Sequence, residues 1–190
     1  LDDPTVMVDE GKWTIDRMMN MAEAVTFDSD GDGIMTQDDN WGLTDNEYSI
    51  VHFLEGCNIH MTALNENGVP EVIIESEEFM NAVQYVYERI ARSPASLLHM
   101  EDMHNPTIKI DDRGLFHYDQ MGIIFRLREM ESDFGLLPMP KLNDTQEKYT
   151  SVVNGIWCST FAVPISANHP DEIGTILDVF GGFSTDTVNT

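Results

Sequence analysis

Residues 12–43 read KWTIDRMMNMAEAVTFDSDGDGIMTQDDNWGL, and this stretch contains the strongest motif of the chain. In its first half, apolar residues recur at helical spacing after Thr14, a residue type that caps the start of helices. The apolar positions are Ile15, Met18, Met19, Ala22 and Val25. In its second half, aspartate and glycine dominate. We therefore predict a helix that ends in an acidic loop.

The acidic loop, residues 28–39 (DSDGDGIMTQDD), has the spacing of a twelve-residue calcium loop. Aspartates take positions one, three and five, and Gly33 takes position six, where the backbone must turn sharply. Calcium needs six to eight oxygen ligands at 2.3–2.6 Å, and alternate residues of a tight turn can converge on one point. The spacing predicts a structural Ca²⁺ site with ligands from Asp28, Asp30, Asp32, Ile34, Thr36 and Asp39.

The last position of the loop holds Asp39 rather than the usual Glu, so a shorter side chain must approach the ion more closely. Without a cation, the five aspartates of this loop would repel one another. The alternatives are a solvated acidic loop that binds no ion and a regulatory EF-hand. A regulatory EF-hand pairs with a second loop, whereas this sequence has one, and its next helix is delayed to about Thr44.

The composition excludes one class of partner. Ten Lys and Arg stand against 34 Asp and Glu, which gives a formal net charge of -24. Nucleic-acid affinity comes from basic groups that displace counterions, so nucleic acid is not an expected partner. The hydrophobic content of 42% suffices for a sizeable core. We interpret Cys57 and Cys158 as unpaired, buried thiols.

The ends of the sequence suggest a piece of a longer protein. It begins without Met, its first residues lack the pattern of a secretion signal, and it stops in GGFSTDTVNT. The sequence contains no apolar run of 18 residues that would predict a membrane span.

Local signals predict alternating helices and strands, which indicates an α/β architecture. Thr44 and Glu47 have capping-box spacing ahead of a short helix that Gly56 would end. Two apolar runs, 59–64 and 69–74, flank NENG and predict a hairpin. Further helices are predicted after Ser76 and at 93–104, 122–130 and 171–180, and further strands at 114–121, 133–140 and 157–163.

The order of these segments resembles a known family. Residues 12–43 are similar to a stretch of the family 1 extracellular solute-binding proteins of bacterial ABC importers, in which a Trp-Thr helix runs into an aspartate-rich loop ending in Gly-Leu. Two further similar stretches follow in family order, RGLFHYDQMGIIFRLREMESDFGLLPMPKLNDTQEKYTS (113–151) and STFAVPISANHPDEIGTILDVF (159–180). The likeness covers nearly the whole chain.

The resemblance implies a type II periplasmic-binding-protein-like fold of the maltose-binding-protein kind, in which hinge strands join two α/β lobes that close on a solute. Residues 1–132 would form most of the second, C-terminal lobe. Residues 133–140 would form the hinge crossing, and residues 141–190 part of the first, N-terminal lobe, so the lobes are incomplete. An exposed strand edge at the hinge would favour a homodimer of this chain.

The resemblance also implies a location and a partner. The full-length protein would be extracellular, anchored to the cell surface as a lipoprotein, and would deliver its solute to an ABC permease in the membrane. The resemblance to this family favours a carbohydrate as the solute. Aromatic faces and side chains that bond to hydroxyl groups commonly hold carbohydrates in a largely preformed cleft. The candidate ligand contacts are Trp41, Tyr48, Asp119, Gln120 and Trp157. The alternative interpretations are core packing for the aromatic residues and a helix cap for Asp119.

Two other classes of function remain as alternatives. A calcium-dependent interaction module of dockerin type, without a transport role, would contain two near-identical loops, whereas one is present. A hydrolase would use paired carboxylates or a nucleophile, but the sequence has no HExxH, no GxSxG and no phosphate-binding glycine loop. We therefore expect a binding protein rather than an enzyme.

Overall fold

The protein has a mixed α/β fold, which confirms the class expected from the sequence. Its structure is a computed structural model. The residues that the structure describes are 2–45, 48–98, 113–125, 127–151 and 162–188. The chain divides into two compact units, Leu1–Val152 and Val153–Thr190, which are taken separately below.

Two predicted capping residues start helices of the first unit. Its described α-helices are α1 (Pro4–Asp9), α2 (Ile15–Val25), α3 (Ser49–Gly56) and α4 (Glu77–Val86), and a π-helical turn (Tyr87–Ala91) continues α4. Thr14 Oγ1 accepts a hydrogen bond from Arg17 N at 3.4 Å, and Ser76 Oγ accepts one from Phe79 N at 3.2 Å. Both caps satisfy a backbone N–H that the first helical turn leaves without a partner.

A parallel sheet lies at the centre of the first unit. The strands among its described residues are β1 (Trp41–Thr44), β2 (Thr62–Leu64), β3 (Pro70–Val72), β4 (Ser96–Leu97) and β5 (Gly114–His117). β1 lies between β4 and β5 and runs parallel to both, whereas β2 and β3 form a separate antiparallel hairpin. Trp41 pairs with Gly114 and Thr44 with His117. The carboxyl ends of β1 and β5 therefore lie side by side.

β1 differs from the sequence predictions, which contained no strand at these residues. All four of its residues are buried, and a strand buried on both faces lacks the alternation that marks a half-exposed one. Helix α2 packs directly on it. A Cβ added to Gly42 would lie 2.2 Å from the carbonyl oxygen of Ala22, so only glycine permits this contact.

The helix after the acidic loop begins later than predicted. Thr44 does not cap it, because Thr44 ends β1, is fully buried and has its hydroxyl 3.4 Å from Phe116 O. α3 instead begins at Ser49, and it ends at Gly56 as predicted. The capping-box prediction is wrong because pairing with distant strands places Thr44 in the sheet.

The described part of the segment 93–104 does not form the predicted helix. Ser96–Leu97 is β4, whose residues pair with β1. Residues 99–104 lie outside the described part of the chain. The prediction is therefore wrong for the residues that can be compared.

The core of the first unit lies between its helices and the parallel sheet. The largest fully buried side chains include those of Trp13, Ile15, Met19, Leu43, Phe53, Val86 and Ile90. Removing such apolar surface from water is the main favourable term in folding, at about 25 cal/mol per Å². Cys57 is buried and unpaired, as predicted, and burial raises the pKa of its thiol to about 12.

The hairpin prediction is confirmed, but the helix predicted at 122–130 is wrong. Gly68, in the NENG turn, has a φ of 74°, which favours glycine. Residues 122–130 instead contain the 3₁₀ turns Met121–Phe125 and Leu127–Glu129. No residue described in this stretch is buried, and helices depend mainly on a packed apolar face.

Residues 133–140 do not form the predicted strand, although they are held to the first unit. Pro138 and Pro140 lack the N–H that a strand ladder needs. Trp13 Nε1 donates to Pro138 O at 3.0 Å, and Lys141 pairs with Thr14 in an isolated parallel bridge. The assignment of this segment as a hinge stays a prediction.

In the second unit, the described residues contain a long helix, α5 (Pro170–Val188). It confirms the helix predicted at 171–180 and continues beyond it. Of the strand predicted at 157–163, residues 162–163 are not in a strand, and residues 157–161 lie outside the described part, together with Trp157 and Cys158. Among the described helices of the chain, none has both the length and the apolarity needed to cross a membrane.

Candidate functional site

The acidic loop connects the end of α2 to the start of β1. An isolated antiparallel bridge between Phe27 and Asn40 closes its base, with N···O distances of 3.1 and 3.2 Å. Gly31 and Gly33 have φ values of 76° and 86°, which other residue types rarely adopt. The two glycines therefore permit the sharp turns that the loop makes.

Three aspartates of the loop converge. One carboxylate oxygen from each of Asp28, Asp30 and Asp32 lies within 4.8 Å of the other two. Two ligands of one calcium ion, each at 2.3–2.6 Å, are at most about 5 Å apart, so this spacing fits a single ion. These three residues could hold a metal ion, and the same donors suit other hard cations as well as Ca²⁺.

Backbone N–H groups orient the converging carboxylates. Asp28 accepts hydrogen bonds from Gly33 N and Gly31 N, both at 2.7 Å. These two bonds, first that from Gly33, lower the pKa of Asp28, because they stabilise its charged form. Asp30 and Asp32 each accept a bond from the N–H two residues on, at 3.0 and 2.7 Å. The backbone bonds thus orient all three carboxylates, and at Asp28 they favour the charged form.

Asp39 closes the loop from its other end. It is 2% exposed, and its two oxygens accept from Ser29 N at 2.8 Å and Thr36 N at 2.7 Å. The bonds from Thr36 and Ser29 lower the pKa of Asp39. The converging group contains only the first three aspartates. The assignments of Ile34, Thr36 and Asp39 as further ligands stay predictions.

Two contacts attach the acidic loop to the sheet. Trp41 Nε1 donates to Thr36 O at 2.7 Å, and an Arg113 guanidinium nitrogen donates to Gln37 O at 2.6 Å. The same nitrogen lies 3.4 Å from Asp38 Oδ1. Arg113 directly precedes β5, 76 residues from Gln37, so local sequence patterns gave no signal for this contact.

A second group of polar side chains lies at the opposite edge of the sheet, where β1 and β5 end. We call this group the carboxyl-edge cluster, and its members are Asp45, His52, His117, Tyr118 and Asp119. His117 Nδ1 is 2.5 Å from Thr44 O, and His117 Nε2 is 3.3 Å from Asp119 Oδ2. The rings of His52 and Tyr118 are stacked with their centroids 4.9 Å apart. In parallel α/β folds, ligands bind at this edge.

Partial burial changes the titration of two rings in the carboxyl-edge cluster. Burial raises the pKa of Tyr118, and the charges of Asp45 and Asp119 raise it further. Burial lowers the pKa of His52, and Glu55 partly opposes this effect. Tyr118 therefore stays a neutral phenol at physiological pH, and His52 favours its neutral form. A neutral phenol can both donate and accept a hydrogen bond.

The structure separates the sequence-predicted ligand contacts. Asp119 and Gln120 follow β5 at the carboxyl edge, and Gln120 N donates to Asp119 Oδ1 at 2.7 Å. Tyr48 precedes α3, on the carboxyl side of β1, and is 65% exposed. Trp41 lies at the other end of β1 and is buried against the acidic loop. Trp157 is outside the described residues.

Sequence reasoning missed Asp45, His52, His117 and Tyr118. Their proximity depends on the pairing of β1 with β5, which joins residues more than 70 positions apart. The available signal was the strand predicted at 114–121, because polar residues at the carboxyl end of a parallel strand mark a candidate site.

Comparisons of the chain with protein-family models, curated proteins and solved structures return no match.

Proposed function

We propose that the protein is the extracellular solute-binding component of an ABC importer and that it binds a carbohydrate between two lobes. The observation that carries this proposal is the carboxyl-edge cluster, a set of hydrogen-bonding side chains at the end of paired parallel strands. Its position is the usual ligand edge of an α/β lobe. The family resemblance of residues 12–43, 113–151 and 159–180 supports the same function.

The chemistry of the edge suits hydroxyl groups. Asp119 supplies carboxylate oxygens that accept, Gln120 an amide that both donates and accepts, and Tyr48 an exposed aromatic face. A sugar offers both hydroxyls and apolar C–H faces to such a set. Binding performs no chemistry: it favours the closed arrangement of the two lobes, which the membrane permease then recognises.

The acidic loop serves this function as a structural Ca²⁺ site. An ion held by Asp28, Asp30 and Asp32 would neutralise the repulsion among these carboxylates and fix the connection between α2 and β1. Outside the cell, where calcium is millimolar, even a site with a Kd of about 10⁻⁴–10⁻³ M is occupied. A calcium loop of this kind therefore agrees with the extracellular location that we propose, in which the protein is anchored to the cell surface.

The proposed lobes follow the family order. Residues 1–132 belong to the second lobe, residues 133–140 cross between the lobes, and residues 141–190 belong to the first. The bond from Trp13 to Pro138 and the bridge between Thr14 and Lys141 hold these two distant segments side by side, and the proposal assigns the crossing to the second of them.

The test measures the melting temperature of the chain in the presence of each sugar of a panel of neutral mono- and disaccharides, with and without calcium. The account predicts that at least one carbohydrate raises the melting temperature in a concentration-dependent way. It also predicts that Asp119→Asn loses this increase, whereas Glu66→Gln, in the exposed hairpin turn, keeps it. A panel that changes no melting temperature would contradict the proposed function.

The acidic loop also favours a second candidate function, a calcium-dependent interaction module. In that case calcium would be needed for capture of a protein partner, and Asp119→Asn would leave this capture intact. The sequence contains one such loop rather than the two of a dockerin-type module, and the described residues include a parallel sheet, so the first candidate is favoured. A further candidate partner is a second copy of this chain. Size-exclusion chromatography tests for this homodimer, which would elute with an apparent mass twice the 21.5 kDa of the chain.

A further inference from the structure

His117 lies at the carboxyl edge, and a role for its protonation there rests on the proposed function of that edge. His117 ends β5, and its side chain is 16% exposed. One ring nitrogen, Nδ1, is 2.5 Å from the carbonyl oxygen of Thr44 in the neighbouring strand. The other, Nε2, is 3.3 Å from a carboxylate oxygen of Asp119. The imidazole therefore bridges β1 to the segment that follows β5.

The contact with Thr44 decides which nitrogen carries the first proton. A carbonyl oxygen can only accept a hydrogen bond, so Nδ1 must be the donor. The hydroxyl of Thr44 agrees with this, because its own proton can point to Phe116 O at 3.4 Å while its oxygen faces Nδ1 at 3.3 Å. A neutral His117 is thus restricted to the tautomer with its proton on Nδ1.

The contact with Asp119 then requires a second proton. In that neutral tautomer, the lone pair of Nε2 would face the carboxylate of Asp119, and two acceptors repel each other. A proton on Nε2 converts this contact into a charge-assisted hydrogen bond, which is stronger than a neutral one. We propose that His117 is an imidazolium at neutral pH and acts as the positioning residue that orients the Asp119 carboxylate at the ligand edge.

The surroundings favour the positive charge. Of the described charged and titratable groups, Asp119 faces the ring directly, while Asp45 at the end of β1 and Tyr118 next to His117 belong to the same cluster. His52 stacks on Tyr118 from α3. Asp119 is the carboxylate that contacts the ring, and a nearby carboxylate favours a cation.

The experiment records the ring nitrogen resonances of histidine in the ¹⁵N-labelled chain at pH 7, with His117→Gln to assign the signals. The expected wild-type result is a His117 ring with protons on both nitrogens. In Asp119→Asn we expect the Nε2 proton to be lost and Nδ1 to stay protonated. Glu66→Gln, in the exposed hairpin turn, is the control and should leave the ring unchanged.

A second variant distinguishes the effect of losing the carboxylate charge at residue 119 from the effect of losing stability. Asp119→Glu keeps a carboxylate and should restore the doubly protonated ring, even if Asp119→Asn lowers the stability. A wild-type His117 with a single ring proton, or one unchanged in Asp119→Asn, would overturn the proposal. These spectra are recorded on samples without sugar, so their result is independent of the carbohydrate panel that tests the proposed function.

Discussion

The indole N–H of Trp41 donates to the carbonyl oxygen of Thr36 over 2.7 Å, so the first residue of the central strand holds the acidic loop. Trp41 is 8% exposed, and Asn40 beside it closes the base of the loop by pairing with Phe27. The loop and the sheet are thus joined by one short stretch. A change in either is expected to affect the other.

The first prediction concerns this bond. Trp41→Phe keeps an aromatic ring in the core but removes the indole donor, so the oxygen of Thr36 loses its shorter hydrogen bond and keeps the one from Asp39 N at 3.3 Å. We expect a loss of about 1 kcal/mol in the free energy of unfolding, measured by urea denaturation. Cation affinity should fall at the same time. An unchanged urea midpoint together with unchanged calcium binding would show that the bond does not couple the loop to the strand.

The second prediction concerns the cation. At a calcium concentration about a hundredfold above Kd, the melting temperature should rise by roughly 5–10 °C, and excess EDTA should reverse the rise. Asp30→Asn should remove most of this increase, because one converging carboxylate is lost. Asp38→Asn is the matched control, since Asp38 is 96% exposed and lies outside the converging group. Equal responses of the two variants would argue against the assigned site.

The third prediction is loss of stability in acid. The pKa values of Asp28 and Asp39 are lowered in the folded protein. As the pH falls below about 4, the unfolded chain therefore takes up these protons first, and the stability that the two carboxylates provide at higher pH is lost. Urea denaturation between pH 6 and pH 3 should show this decrease. In Asp39→Asn the free energy of unfolding should fall less steeply with decreasing pH. A dependence on pH equal to that of the wild type would contradict a lowered pKa at Asp39.

The fourth prediction tests the packing of α2 on β1. Gly42→Ala would place its Cβ 2.2 Å from the backbone of Ala22, which neither element can avoid without moving. We expect a loss of about 3 kcal/mol or failure to fold, because overpacking of this kind is destabilising. Gly122→Ala is the control, since nothing lies within 4 Å of the added carbon. Similar urea midpoints for the two variants would contradict the described contact.

The features predicted correctly are those that neighbouring residues determine. Thr14 and Ser76 bond to N–H groups three residues away, and Gly68 supplies the turn of a hairpin whose strands are adjacent in sequence. The spacing of the aspartates in the acidic loop is equally local. In each case the signal and the structure lie within the same few residues.

The features that were missed depend on distant pairing. Thr44 has a local capping pattern, yet it pairs with Leu97 and His117 in the sheet. Arg113 contacts the acidic loop across 76 positions, and His117 meets Thr44 across 73. Nothing near these residues in the sequence indicates their partners. Asp119 was predicted from the sequence, but the other members of the carboxyl-edge cluster could be recognised only once β1 and β5 were paired.

The most direct test of the central claim is a map of backbone amide shifts in the ¹⁵N-labelled chain, titrated with the carbohydrate that raises the melting temperature most. The account predicts that the amides of Tyr48, His117 and Gln120 shift with the sugar concentration, whereas those of Gly31 and Gly33 do not. Shifts confined to other parts of the chain, with the amides of the carboxyl edge unmoved, would contradict it.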